Sequence, residues 1–152
     1  MSNPNDQSKL SSIKTYILIA LVFSIIILIA WLFEAFWNIW IYVTFVSYID
    51  YFGVAYGASA FWLVESAVFF VFLILDVLIF LRIWKMYKAV NSGDIATLKK
   101  YNNMLWAILA LIFGGVIPGI MLLISFGPIN ELGQQPMTQA SGSYPPPPPP
   151  QM

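Results

Sequence analysis

Ile17 to Phe33 reads ILIALVFSIIILIAWLF, and this run decides the class of fold. No charged residue falls between Thr15 and Phe33. A helix rises about 1.5 Å per residue, so some 20 residues cross a hydrocarbon layer of roughly 30 Å. A cleaved signal peptide would have a shorter apolar run, about 7–15 residues, closed by small side chains. Bulky Trp31, Leu32 and Phe33 stand at that place instead. The run reads as a retained signal-anchor helix over 15–33.

The rest of the chain supports the same solvent. Of its 152 residues, 60% are hydrophobic and 9% charged, against roughly 25% charged in a typical soluble domain. A globule of this size leaves much of its area exposed and cannot hide that much apolar surface. Two further runs are long enough to span, LVESAVFFVFLILDVLIFLR at 63–82 and MLWAILALIFGGVIPGIMLLISF at 104–126. The expected fold is therefore an all-α integral membrane protein with three transmembrane helices. A polar segment, 1–14, precedes the helical membrane domain at 15–132, and a basic connector occupies 83–103. The tail, 133–152, ends in six prolines at Pro145–Pro150 and reads as disordered. Such a run forms a stiff polyproline II rod, suited to an aromatic groove or to a spacer.

The stretch between the first two spans is ambiguous. It carries Phe36, Trp37, Trp40, Tyr42, Phe45, Tyr48, Tyr51 and Tyr56, with Gly53 and Gly57 as a small-residue pair. Trp and Tyr favour the membrane–water boundary, where the ring meets lipid and the polar tip meets water. Residues 36–58 read as an interfacial or re-entrant segment, or as a fourth crossing.

Charge placement gives an orientation. Arg82, Lys85, Lys88, Lys99 and Lys100 make up most of the basic side chains, Lys9 and Lys14 flank the first span, and none lies between Asn38 and Leu81. Basic loops stay cytoplasmic, so an even number of crossings must separate Lys14 from Arg82. Three spans then put the N-terminus inside and the proline tail outside. In the connector, Ser92 or Asp94 is placed to cap a short helix that ends at Lys99 and Lys100, as the helix dipole prefers.

Few residues are available for chemistry. The chain lacks cysteine and histidine, which removes disulfides, thiolate nucleophiles, Cys/His metal sites and the usual general base near neutral pH. The reading is of a protein that is not an enzyme and holds no cofactor. Net charge is zero, so no basic field invites nucleic acid.

Two constellations remain. Glu65 and Asp76 are 11 residues apart, close to three helical turns, and share one face. A carboxylate in hydrocarbon costs about 2.5–3.5 kcal/mol on insertion scales and usually faces protein or a cavity. They are candidates for a proton or cation path, against the plainer reading of tolerated acids at the boundary or in a pair. Ala110, Gly114, Gly115 and Gly119 form a small-residue face for close helix packing, and Pro118 is expected to kink that helix.

The connector KMYKAVNSGDIATLKK, followed by WAILALIFGGVIPGIMLL and GPINEL, resembles small multi-span membrane proteins of thermoacidophilic archaea of the Sulfolobus type. The likeness covers roughly residues 80–132. A looser one is to dispanin-type proteins, in which a basic cytoplasmic loop joins two membrane segments. This chain has none of their juxtamembrane cysteines, so lipid attachment does not carry over. Neither resemblance supplies an activity or a site residue. The leading expectation is a structural, scaffolding or accessory role in the bilayer, as a homo-oligomer or within a membrane complex. The alternative is a small oligomeric ion or proton channel or transporter using the intramembrane carboxylates.

Overall fold

A computed structural model of the chain describes residues 4–51 and 58–133. The described residues form helices and turns, with no strand among them. The Gly53–Gly57 pair and the proline-rich tail from residue 134 onward lie outside the described residues.

Helix α1, Pro4–Ile41, has 38 residues and a length of about 57 Å. It starts well before the apolar run because Pro4 is tolerated in a first turn and Ile13 and Ile17, both fully buried, continue one apolar face. It also outlasts the run. A π-helical turn, Tyr42–Val46, and a short α2, Ser47–Tyr51, follow without a break. Neither glycine nor proline occurs between Asn5 and Phe52 to stop it. The expected separate segment at 36–58 is thus, over its described part, the far end of the first helix.

Helix α3, Ala58–Ser92, has 35 residues and includes the expected span 63–82. It does not end at the basic residues, since Met86, Ala89 and Val90 are buried and extend its apolar face. The connector therefore opens with helix, and the chain turns only at Gly93, whose φ of +70° suits glycine. Asp94 caps α4, Ile95–Tyr101, accepting the Thr97 N–H at 2.9 Å. Ser92, the other candidate cap, instead donates back to the carbonyls of Lys88 and Ala89, each at 3.1 Å. Helices α1 and α3 lie antiparallel, with Trp31 against Phe69 and Phe72, each ring pair 5.6 Å apart. These two helices are long and apolar enough to cross a membrane.

The segment 104–126 departs from expectation. It is two helices, α5, Met104–Ile112, and α6, Val116–Glu131. They fold back on one another, since Gly119 abuts the backbone of Leu111. In a continuous helix those residues would stand about 12 Å apart. The Asn102 side chain closes the open end, donating to Phe126 O and to Asn130 Oδ1, both at 2.9 Å. The reversal falls on Gly115, whose φ of +93° is costly for any other residue. Pro118 does not kink a helix. It sits in the first turn of α6, where a missing N–H is of little consequence. The last helix also runs past residue 126, through Gly127 and Pro128, because Ile129 and Leu132 are fully buried and hold it as far as Glu131.

The α5–α6 hairpin reaches only halfway along the long helices. Its tip lies at Ile27 of α1 and at Asp76 and Ile79 of α3, and its open end brings Glu131 within 2.8 Å of Lys9. Residue 133 therefore sits at the same end as the start of α1. This corrects the expectation that 104–126 carries the chain to the opposite end. One half of the molecule is a four-helix bundle capped by α4, with its core in Ile17, Ile83, Ala107, Leu122 and their neighbours. The other half, among the described residues, is the α1–α3 pair.

Candidate functional site

Asp76 lies where the two halves meet. Its side chain is fully buried, and neither carboxyl oxygen has a hydrogen-bond partner among the described residues. A buried carboxyl in that state is expensive unless it holds a proton or has a counter-ion beside it.

The hairpin tip supplies its surroundings. The hydrogen-bond ladder of α5 ends with Phe113 N–H to Leu109 O at 2.9 Å and resumes in α6 with Gly119 N–H to Gly115 O at 3.2 Å. The carbonyls of Ala110 to Gly114 accept no backbone hydrogen bond across this gap, as the last carbonyls of a helix generally do not. Gly114 is buried beside Asp76. A Cβ on it would stand 3.4 Å from Asp76 Oδ1 and 3.2 Å from both Ala110 O and Ile79 Cγ2. Asp76 thus packs closely against Gly114, where a methyl would press on Ala110 O and the Ile79 side chain.

An aromatic collar stands on the two-helix side of this point. Phe72 meets Phe113 of the hairpin tip at 5.3 Å and Trp31 of α1 at 5.6 Å. Beyond it an open cleft of about 420 Å³ lies among Trp31, Glu34, Phe69, Phe113 and Gly115. Glu34 accepts from Asn38 Nδ2 through its main-chain oxygen at 2.9 Å and through Oε1 at 3.4 Å. On the four-helix side, Ile79, Ile83, Ala107, Ala110 and Leu122 are packed and buried.

The two carboxylates singled out by spacing are not brought together. Glu65 is half-buried, with Oε2 sequestered and unpartnered, but three turns of helix separate it from Asp76, about 16 Å. The small residues do converge: Ala110, Gly114, Pro118 and Gly119 are all buried at the tip and seam of the hairpin. They let a short helix fold back rather than giving one long helix a flat face.

The basic residues cluster at the four-helix end. Arg82 donates from Nε to Tyr101 O at 3.0 Å, and its guanidinium lies 4.9 Å from the Trp106 ring centroid. Lys85 Nζ stands 5.4 Å from the Tyr101 ring, and Lys88 Nζ 5.4 Å from Trp84. Lys99 and Lys100 close α4.

Sequence reading passed over Gly114 as the neighbour of Asp76, and over Ser24 and Ser125, both fully buried. Each serine donates to its own helix, to Leu21 O at 2.9 Å and Leu122 O at 3.0 Å, a habit of hydroxyls inside helices. A lone serine in an aliphatic run was the available signal. No family model matches this sequence, and neither a curated protein nor a solved structure matches it.

Proposed function

We propose that this chain is an integral membrane protein, with two spanning helices and one re-entrant hairpin, that works as a small carrier or channel component for protons or monovalent cations. The observation that carries the reading is Asp76, fully buried and unpartnered against an interrupted helix. Backbone carbonyls without partners at membrane depth are tolerated only inside protein or along a water-filled cavity. Interrupted helices paired with buried acids are a recurrent way to hold coupling ions near the midplane. The exposed apolar side chains of α1 and α3, among them Ile26, Ile29, Val71 and Ile74, then face lipid. By the positive-inside bias the basic end is cytoplasmic in the cell membrane, with both the start of α1 and residue 133 on that side.

The test is flux. Reconstituted protein should carry protons or alkali cations across vesicle membranes, and Asp76→Asn should reduce the rate at least tenfold. Equal flux in protein-free vesicles, or an undiminished Asp76→Asn rate, removes the reading.

A scaffolding or accessory role has one observation in its favour. Phe33, Phe36 and Phe61 are 67%, 70% and 65% exposed in the half where no third helix among the described residues covers α1 and α3. A membrane partner, or a second copy, would pack there. Photo-crosslinking from Phe36 to lipid alone would count against it.

A further inference from the structure

We propose that the cleft between the end of α3 and α4 is a binding site for the phosphodiester headgroup of an anionic membrane lipid. The inference rests on the membrane part of the reading above and not on transport. The cleft is open and holds about 350 Å³. Lys85, Lys88 and Ser92 of α3 line it with Thr97 and Tyr101 of α4, and with Asp94 at the turn between them. Lys85 Nζ stands 5.4 Å from the Tyr101 ring, and the Arg82 guanidinium stands 5.4 Å from the same ring. Two cations therefore share one aromatic side chain. None of Arg82, Lys85 and Lys88 has an ion pair among the described residues.

Positive charge gathered in this way repels itself, and the acids of this end whose side chains are described are engaged elsewhere. Glu131 pairs with Lys9, and Asp94 accepts the Thr97 N–H as the cap of α4. An anion bound from outside would relieve the repulsion. Two ammonium groups against the Asp94 carboxylate leave one positive charge in the lining, which matches the single negative charge of a phosphodiester. Each ammonium carries three N–H donors, enough to serve the free oxygens of such a group.

Position selects a lipid over a free anion. Leu81, Trp84, Lys85 and Lys88 follow the i, i+3, i+4, i+7 spacing of one helix face. Leu81 and Trp84 are exposed apolar side chains, so this face passes from lipid-like surface to charge within two turns. Trp84 lies between Phe80 and Tyr87, 6.2 Å from each ring, an aromatic group of the kind that stands at the headgroup level of a bilayer. Lys88 Nζ is 5.4 Å from the Trp84 ring, which keeps the charge beside apolar surface as long cations do at an interface. A lipid can lay its chains against Leu81 and Trp84 while its phosphate enters between Lys85 and Lys88. Basic residues directly after a membrane segment attract anionic headgroups in general, and here a cleft gives the attraction a place.

The experiment places the full chain in phosphatidylcholine nanodiscs and replaces a rising fraction of the lipid by phosphatidylglycerol at constant ionic strength. The melting temperature is the readout, and it should rise saturably with the anionic fraction. Lys85→Gln combined with Lys88→Gln should abolish the rise or move its midpoint by about fivefold or more. Lys99→Gln combined with Lys100→Gln removes as much charge outside the cleft and should leave the midpoint within about twofold. A melting temperature indifferent to phosphatidylglycerol in the unaltered protein overturns the site. Equal weakening by the two pairs of variants overturns it as well, because the attraction is then diffuse. An equal rise on adding inorganic phosphate to pure phosphatidylcholine discs overturns the choice of a lipid. A chain that does not enter nanodiscs removes the membrane reading and this site with it. Flux is not measured, so the outcome is separate from that of the transport reading.

Discussion

At the scale of single residues, three glycines of α6 and its turn divide sharply. A Cβ on Gly119 would collide with the Leu111 backbone, which cannot rotate aside as a side chain can. Gly119→Ala should therefore cost about 1–3 kcal/mol, typical of overpacking. Gly127 has nothing within 4 Å of its would-be Cβ and lies inside the helix. Gly127→Ala should stabilise by up to about 1 kcal/mol through the chain entropy of glycine. Denaturation of the two variants in detergent checks the contrast, and equal losses would contradict the folded-back hairpin. Gly115 is different again: its positive φ strains any side chain whatever the space, and a Cβ there would also collide with Ile27 Cδ1, a side-chain end that can move.

Asp94 gives a prediction in pH. Hydrogen bonds from the Thr97 side chain and N–H hold its carboxyl below the ordinary carboxyl range. A depressed folded value means the cap's contribution is complete above the ordinary carboxyl range and is lost as pH falls through the folded value. The protection of α4 amides, taken relative to their intrinsic exchange rates, should therefore fall at acid pH, and Asp94→Asn, which keeps an acceptor without the charge, should flatten that dependence.

At the scale of elements, the fold turns on α5. Nine residues extend about 13 Å, too short to cross a hydrocarbon layer of roughly 30 Å. In a bilayer such a hairpin would enter and leave on one side, and Lys9 with Glu131 marks its open end. That ion pair is exposed at 43% and 59% and is worth little in stability, about 0–1 kcal/mol. Its use is as a ruler. Lys9→Cys combined with Glu131→Cys should be joined by a short bifunctional thiol reagent, while Ser47→Cys with Glu131→Cys should not. Joining of the second pair in preference to the first would restore 104–126 as a crossing.

At the scale of the molecule, the four-helix half carries the basic residues and the two-helix half the exposed aromatics. Arg82 and Lys85 lie over aromatic rings, the arrangement by which long cations anchor at an interface. With no native cysteine, single cysteines can report sidedness. Ser8→Cys, Ser92→Cys and Glu131→Cys should react with an impermeant thiol reagent from the same side, and Ser47→Cys from the other. Reaction of Glu131→Cys on the side of Ser47→Cys would return the end of α6 to the opposite face.

Hydropathy and punctuation alone determined much of this. Uncharged runs determined that the chain is helical and fixed the middles of its two long helices, though not their ends. Ser92 and Asp94 were both open as the cap of α4, and the spacing of Lys and Arg placed both basic segments at one end. The tertiary structure decided the direction of the last apolar run. Twenty-three residues from Met104 to Phe126 have the same hydropathy whether they cross or fold back, because hydropathy sums transfer free energies and carries no direction. What sets direction is contact between distant residues: Gly119 on Leu111, Asn102 on Phe126, and Gly114 beside Asp76. The same contacts distinguish Asp76 from Glu65, three turns away on the same helix. Only one of them lies where a helix ends inside the protein.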